Sequence, residues 1–295
     1  MTEQEMFTLV GIREEAPKPT RKLRRPKEFP WISLILLAAI VLCCLFAEAL
    51  MTKDPGYLDL KNCDVAPNGQ FLFGTDTLGR DIFSGILYGG RISIAIGFFA
   101  TLISTCIAVV YGALSGIAPP WVDALMMRFT EVFLSVPGLL LVLFLQAVLG
   151  QANVATLSLV IGITSWAGIA KIVRTEVRQL RNSEYVVASR CMGGNFFHIL
   201  RKHLAPNFIA SIMFMVVMNV RSAIVAESTL SFLGMGLPLD VISWGSMLSL
   251  SEKALLSGSW WIILIPGAFL VTLLMCLTNI GNYLRKTANR KERIL

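Results

Sequence analysis

Charged side chains are scarce in this chain. They make up 15% of its 295 residues, whereas 55% of the residues are hydrophobic and the mean hydropathy is +0.68. Soluble globular domains carry about 25% charged residues. The composition therefore argues against a water-soluble globule and favours a protein whose solvent is lipid.

Side chains that perform catalysis or bind metals are also rare. The only two histidines, His198 and His203, have no cysteine or carboxylate cluster beside them, which argues against a metal site. The chain has no Gly-x-x-x-x-Gly-Lys-Ser/Thr phosphate loop, and no Ser-His-Asp set is apparent. We therefore expect no enzyme activity, no cofactor and no metal in this chain.

Long apolar runs are abundant, and each is long enough to cross a bilayer, which takes about 20 residues. The sequence predicts spans at residues 31–51, 92–117, 125–149, 154–173, 208–232 and 260–284. We expect an all-α membrane protein with one transmembrane domain over residues 31–285, a tail at 1–30 before it and a tail at 286–295 after it.

Lysine and arginine predict the orientation of these spans, because cytoplasmic segments carry them in excess. Basic residues concentrate in the two tails and in the central segment 174–207. Six spans place all three on one side, so both termini are expected in the cytoplasm and segment 52–91 outside. The net charge of +7 is thus a topology signal in a multi-pass protein of the cell membrane, and no nucleic-acid partner is expected.

Charged residues fall inside several predicted spans, among them Arg128, Glu131, Arg221 and Glu227, and a charge at the centre of a span costs about 2.5–3.5 kcal/mol on insertion scales. Arg128 and Glu131 are three residues apart, so we expect an intramembrane ion pair on one helix face. Arg221 and Glu227 are separated by about 240° around an ideal helix and cannot easily pair. We expect one or both to face the transport pathway or a subunit interface.

Segment 74–91 lies outside the membrane in this arrangement. Thr75 or Asp76 can cap a helix over the following residues, with an apolar face that includes Ile82 and Ile86. We expect this helix to lie along the membrane interface before the second span.

The central segment 174–207 predicts two short amphipathic helices. Ser183 can cap the first, in which Tyr185, Ala188 and Met192 share one face, and Gly193 begins a break where a positive φ costs little. The second helix carries the apolar stripe Phe196, Leu200 and Leu204. Such a helix pair cannot bury its apolar faces alone and needs a partner surface.

This segment resembles the coupling loop of bacterial ABC importer permeases, whose signature is Glu-Ala-Ala, three residues, Gly, and a later Leu-Pro. Gly193 stands at the signature glycine, and residues 204–207 read Leu-Ala-Pro-Asn. Residues 187–189 read Val-Ala-Ser where Glu-Ala-Ala is usual. The resemblance assigns ATPase coupling to a set of loop residues within 184–207: Glu184, Tyr185, Ala188, Ser189, Met192, Gly193, Leu204, Pro206 and Asn207.

Motifs elsewhere narrow the resemblance to the dipeptide, oligopeptide and nickel permeases, and to the second of their two permease subunits. Gly-Thr-Asp-x-x-Gly-Arg-Asp begins at Gly74, Leu-Ser-Phe-Leu-Gly begins at Leu230, and Trp-Gly begins at Trp244. A further stretch, 118–137, also matches. Asn282 departs from the family, which has an Asp there.

The resemblance implies a six-span helical bundle of the type I ABC importer permease kind, which imports short peptides, nickel or a related small solute. It also implies three kinds of protein partner: a second homologous permease subunit, two ATPase subunits that bind the ATP, and an extracytoplasmic solute-binding protein. The permease itself is in contact with membrane lipid.

Two other functions would leave different features in the sequence. A secondary transporter driven by an ion gradient would be expected to show internal repeats and unpaired mid-span carboxylates, and Glu227 is the one candidate. A membrane-embedded enzyme would be expected to show a cluster of catalytic or metal-binding residues.

Overall fold

The computed structural model describes residues 29–150, 152–181, 205–238, 240–250, 254 and 257–291. In these ranges the regular secondary structure is helical and no strand occurs, only an isolated bridge between Thr75 and Asp81. The all-α prediction is therefore confirmed. The helices in chain order are α1 (Trp31–Leu45), α2 (Ala47–Leu50), α3 (Ile82–Ile117), α4 (Pro120–Ser135), α5 (Gly138–Leu149), α6 (Val154–Thr164), α7 (Trp166–Arg181), α8 (Ala205–Phe232), α9 (Trp244–Ser249) and α10 (Trp261–Lys291).

Helix α3 is one continuous helix of 36 residues. The prediction of a separate interface helix before a span at 92–117 is therefore wrong. The predicted cap is also wrong, because the Asp81 carboxylate caps α3 by accepting a hydrogen bond from Ser84 N at 3.0 Å. At about 1.5 Å per residue, α3 is about 54 Å long, which exceeds the bilayer core of about 30 Å. It ends before Pro119 and Pro120, which cannot continue its hydrogen-bond ladder.

Two predicted spans are bent in the structure. Helices α4 and α5 meet at 86° around Val136 and Pro137, and α6 and α7 meet at 45° around Ser165. The capping box of Asn153 and Thr156 starts α6. Proline explains the first bend, because it disfavours a helical residue before it and cannot donate within the helix.

The membrane spans can be compared with the helices only by length and composition. Among the described residues, three helices are long and apolar enough to cross a membrane, or five if each bent pair is one span. Helix α1 is shorter, with 15 residues, and is followed after Phe46 by α2. The positions of the six spans remain predictions.

Both ends of the predicted cytoplasmic segment 174–207 are helical in the structure. Residues 174–181 continue α7, and Pro206 and Asn207 lie in the first turn of α8. Proline is tolerated in a first helical turn because its missing N–H has no partner there in any case. The two predicted amphipathic helices within 182–204 lie outside the described residues.

The interior of the bundle is organised around α3, which packs against α6, α7, α8 and α10. Its closest approach to α7 occurs at Gly112 and Gly116. A Cβ atom at Gly112 would lie 2.5 Å from the carbonyl oxygen of Ala170, and one at Gly116 would lie 2.8 Å from Val177 Cγ1. Small residues four apart allow two helix backbones to pack closely in a membrane.

We expect Gly112→Ala to destabilise the protein by about 1–3 kcal/mol, because the added methyl group meets backbone that cannot move aside without separating α3 from α7. Gly168→Ala is the matched control. A Cβ atom at Gly168, on α7, has no neighbour within 4 Å, so this change should be neutral or slightly stabilising. Thermal unfolding of the purified protein in detergent measures both. Equal melting temperatures would contradict the close packing.

Candidate functional site

Most of the residues that the sequence assigned to coupling lie outside the described residues: Glu184, Tyr185, Ala188, Ser189, Met192, Gly193 and Leu204. The structure does describe the helices on both sides of them. Helix α7 leads into the loop and α8 leads out of it, and both Pro206 and Asn207 belong to α8. The geometry at these helices therefore shows how the loop is connected to the bundle.

Helix α7 has one apolar face and one basic face. Ile169, Ala170, Val173 and Val177 are buried and recur at helical spacing. They pack against residues of α3 that include Ala108 and Ala113. This packing leaves the basic face of α7 directed away from the apolar core.

Two arginines of the basic face converge on Asp123, near the start of α4. Arg174 Nε donates to Asp123 Oδ1 and Arg174 Nη2 donates to Asp123 Oδ2, each at 2.5 Å. Arg178 Nη1 donates to Oδ2 at 2.8 Å, and Ser115 Oγ, on α3, donates to Oδ1 at 2.6 Å. The two parallel bonds from Arg174 form the strong bidentate geometry of a guanidinium and a carboxylate.

This Asp123 cluster, made of Asp123, Ser115, Arg174 and Arg178, joins α3, α4 and α7 at the base of the loop. Asp123 is 5% exposed, so its charge depends on these partners. One feature of the sequence indicates this cluster. The arginines at positions 174 and 178 are one helical turn apart and can reach the same acceptor.

Arg128 and Glu131 lie on the surface of α4. Arg128 Nη1 is 3.0 Å from Glu131 Oε2, and the two side chains are 82% and 49% exposed. This pair has the three-residue spacing that the sequence predicted, but it connects no other helix. Its position relative to the membrane remains a prediction.

Glu227, on α8, is fully buried, with 0% of its surface exposed. In this conformation Glu227 therefore lies inside the subunit, and the expectation that one or both of Arg221 and Glu227 face a pathway or a subunit interface stays a prediction. Four serine hydroxyls surround the Glu227 carboxylate. Ser93 and Ser228 donate to Oε2 at 3.0 and 3.2 Å, and Ser231 and Ser243 donate to Oε1 at 3.0 and 2.7 Å.

Three of these hydroxyls also accept a backbone N–H. Ser93 Oγ accepts from Trp244 N at 3.2 Å, Ser231 Oγ from Leu237 N at 3.3 Å, and Ser243 Oγ from Ser246 N at 3.1 Å. Glu227 is thus the final acceptor of three hydrogen-bond chains that join α3, α8 and the start of α9. Chains of this kind strengthen each bond by polarisation.

Arg221 also lies on α8, but its environment is different. It borders an open groove of about 400 Å³ between α8 and α10, lined by Arg221, Val271, Leu274, Met275, Thr278 and Asn279. Its Nε is buried without a hydrogen-bond partner among the described residues. No carboxylate in the described ranges forms an ion pair with it.

The segment before α3 folds against the start of α10. Trp261 Nε1 donates to the carbonyl oxygen of Thr75 at 3.2 Å, and the neighbouring Asp76 carboxylate accepts from Leu78 N and Arg80 N, both at 2.8 Å. Burial raises the pKa of Asp76, while the two N–H donors oppose this rise. Asp76 therefore orders a turn, which explains why it does not cap α3.

No group of three or more histidine, cysteine or carboxylate side chains able to hold a metal occurs in the part of the chain that the structure describes. The polar groups described above include the ion-paired carboxylate of Asp123, the hydroxyl-bonded carboxylate of Glu227 and the guanidinium of Arg221. They can position helices and bind an anion.

Comparison with known proteins places these features in a family. Residues 108–288 match the family model described as binding-protein-dependent transport system inner membrane component. The dipeptide transport system permease protein DppC of Bacillus subtilis (strain 168) is 36% identical over 92% of this chain and 85% of its own length. The oligopeptide transport system permease protein OppC of Haemophilus influenzae is 36% identical over 88% of this chain and 84% of its own length.

A solved structure shares the fold. The MetNI methionine ABC transporter, in inward-facing conformations, contains a chain that superposes with a TM-score of 0.54. The match covers 69% of this chain and 96% of the solved chain at 15% sequence identity. The expectation of a type I ABC importer permease fold is confirmed.

Proposed function

Because the chain belongs to the family of binding-protein-dependent transport system inner membrane components, we propose that it is the permease subunit through which an importer moves short peptides. The function class itself follows from the family. The chain is a multi-pass membrane permease of an ATP-driven ABC importer, and the alternative of an ion-gradient-driven secondary transporter is wrong.

Short peptides are favoured over nickel because the relatives that cover most of this chain are named as dipeptide and oligopeptide permeases. In this proposal, a second homologous permease subunit completes the pathway. Two ATPase subunits bind and hydrolyse ATP on the cytoplasmic side, and a solute-binding protein delivers the peptide from outside. Both termini and loop 182–204 face the cytoplasm, in agreement with their basic residues.

The Asp123 cluster is the observation that carries the coupling mechanism. A loop can transmit force only if its base is fixed to the part that must move. Arg174 and Arg178 fix α7 to Asp123 of α4 directly before the loop, and Ser115 fixes the same carboxylate to α3. When the ATPases close, displacement of the loop would therefore move these three helices together and change which side of the membrane the pathway opens to.

We expect Ala188→Glu to lower ATP-dependent peptide uptake more than it lowers the amount of permease in the membrane. Ala188 belongs to the apolar face that the sequence predicts to dock on an ATPase subunit, and an unpaired carboxylate is costly to bury there. Uptake into proteoliposomes and immunoblotting of the same membranes measure the two quantities. In addition, a cysteine at Ala188 should cross-link to the ATPase, with a yield that changes when ATP is trapped.

Val187→Glu is the matched control, because it introduces the same charge one residue earlier, where the resembling family carries glutamate. It should transport normally. Normal uptake by Ala188→Glu, or no cross-link in the assembled importer, would contradict loop 182–204 as the coupling element. Absence of ATP-dependent uptake of any short peptide by the unaltered importer would contradict the proposed solute.

A further inference from the structure

Arg221 is an unpaired cation near the centre of a predicted span. The sequence predicts a span at residues 208–232 of α8, and Arg221 lies near its midpoint. A charge there costs about 2.5–3.5 kcal/mol on insertion scales, and such residues usually face an interior or a hydrated cavity. Its Nε has no acceptor and no carboxylate pairs with its guanidinium among the described residues, so the chain leaves this charge available to an anion from outside the subunit.

The groove beside Arg221 has the size of a small-molecule site. Its volume of about 400 Å³ falls within the usual range of about 300–1,000 Å³ for ligand pockets. Val271, Leu274 and Met275 supply an apolar wall, and Val271 and Met275 are 48% and 62% exposed, so the groove is open at the surface of the subunit. Arg221 is the only charged residue in the lining.

We propose that Arg221 binds the terminal carboxylate of the transported peptide while the peptide passes along this groove. Every unmodified short peptide carries this group, which is ionised at neutral pH because its pKa is about 3.3–3.7. A guanidinium binds a carboxylate through two parallel hydrogen bonds, and the remaining lining is apolar, so the site accepts different side chains. The proposal rests on the proposed peptide import.

The depth of Arg221 disfavours a lipid phosphate as the anion. Arg221 lies 13 residues from one end of the predicted span 208–232 and 11 residues from the other, so at about 1.5 Å per residue its helix position is about 16 Å or more from either end. A carboxylate of the second permease subunit would have to lie equally deep, and the experiment below distinguishes it from the carboxylate of the peptide.

The test measures equilibrium binding of radiolabelled trialanine and of trialanine amide to the purified importer without its solute-binding protein. The unaltered importer should bind trialanine about tenfold more tightly than the amide, because the amide lacks the charge-assisted hydrogen bonds. Arg221→Met should bind both peptides as weakly as the unaltered importer binds the amide. Arg221→Lys, which keeps the charge but not the paired donors, should show an intermediate preference.

Arg221→Met removes a charge from a span, so it should not impair insertion. Several results would overturn the proposal: equal binding of the two peptides by the unaltered importer, no saturable binding of trialanine to it, or an unchanged preference in Arg221→Met. Loss of the second permease subunit on purification of Arg221→Met would assign the guanidinium to the subunit interface and would also overturn it. All of these results leave the proposed import function standing if ATP-dependent uptake of peptides is observed.

Discussion

An importer that carries Arg174→Gln is expected to take up peptide at least about tenfold more slowly than the unaltered importer, while its ATPases remain active. The substitution removes both bonds of the bidentate pair and leaves the Asp123 carboxylate, whose side chain is 7% exposed, with Arg178 and Ser115. Removing one partner from a buried ion pair costs about 3–5 kcal/mol. Half of that free energy already corresponds to more than a tenfold change in the rate of uptake.

The solvent exposure of each arginine predicts how strongly its substitution lowers uptake. The side chain of Arg174 is 23% exposed and that of Arg178 is 54% exposed. Because solvent screens the Arg178 pair, Arg178→Gln should cost about 0–1 kcal/mol and reduce uptake only slightly. Arg174→Lys should fall between Arg174→Gln and the unaltered importer, since lysine keeps the charge but cannot form the paired bonds.

Arg128→Gln is the control for this series. It also removes an arginine from an ion pair, but the pair with Glu131 is exposed and connects no other helix. Peptide uptake and ATP hydrolysis, measured on the same proteoliposomes, separate loss of coupling from loss of folded protein. If Arg128→Gln and Arg174→Gln lowered uptake equally, the Asp123 cluster would have no particular role at the base of the loop.

The sequence predicted the helical class and the approximate spans because apolar runs of about 20 residues are a strong local signal. It was wrong about the boundary predicted before residue 92, which lies just after Gly89 and Gly90. These glycines lie inside α3, and a Cβ atom at Gly90 would lie 2.6 Å from Trp244 Cζ2. Close packing against a residue 154 positions later requires the glycine, and nothing in the local sequence shows this.

The polar clusters depend on contacts between distant parts of the chain. The two arginine partners of Asp123 lie 51 and 55 residues later, and Ser93 lies 134 residues before Glu227. From its charge alone, Glu227 was expected at a pathway or an interface. The Asp123 cluster and the hydroxyls around Glu227 became visible only in the folded chain, whereas Arg221 was correctly recognised as lacking a partner on its own helix.

Glu227→Gln is expected to lower the thermal stability of the purified permease, although glutamine has nearly the same shape as glutamate. A carboxylate accepts hydrogen bonds at both oxygens, whereas the amide nitrogen of glutamine can only donate. In either orientation, two of the four hydroxyls would then lose their acceptor. Each hydroxyl that finds no other acceptor costs about 1–3 kcal/mol.

Glu227→Leu should be less stable than Glu227→Gln, because it removes the acceptor for all four hydroxyls: Ser93, Ser228, Ser231 and Ser243. Ser222→Ala, at an exposed position on the same helix, is the control and should unfold at the temperature of the unaltered protein. Thermal unfolding in detergent measures all three variants.

The combination of stability and transport decides what Glu227 does. If the carboxylate holds α3, α8 and α9 together, stability falls in Glu227→Gln and uptake falls only in proportion to the folded protein that remains. If Glu227→Gln unfolds at the unaltered temperature but imports no peptide, the carboxylate acts during transport in a conformation other than this one. That result would support the expectation from the sequence, because a charge that contributes nothing to stability inside a membrane span must have another use.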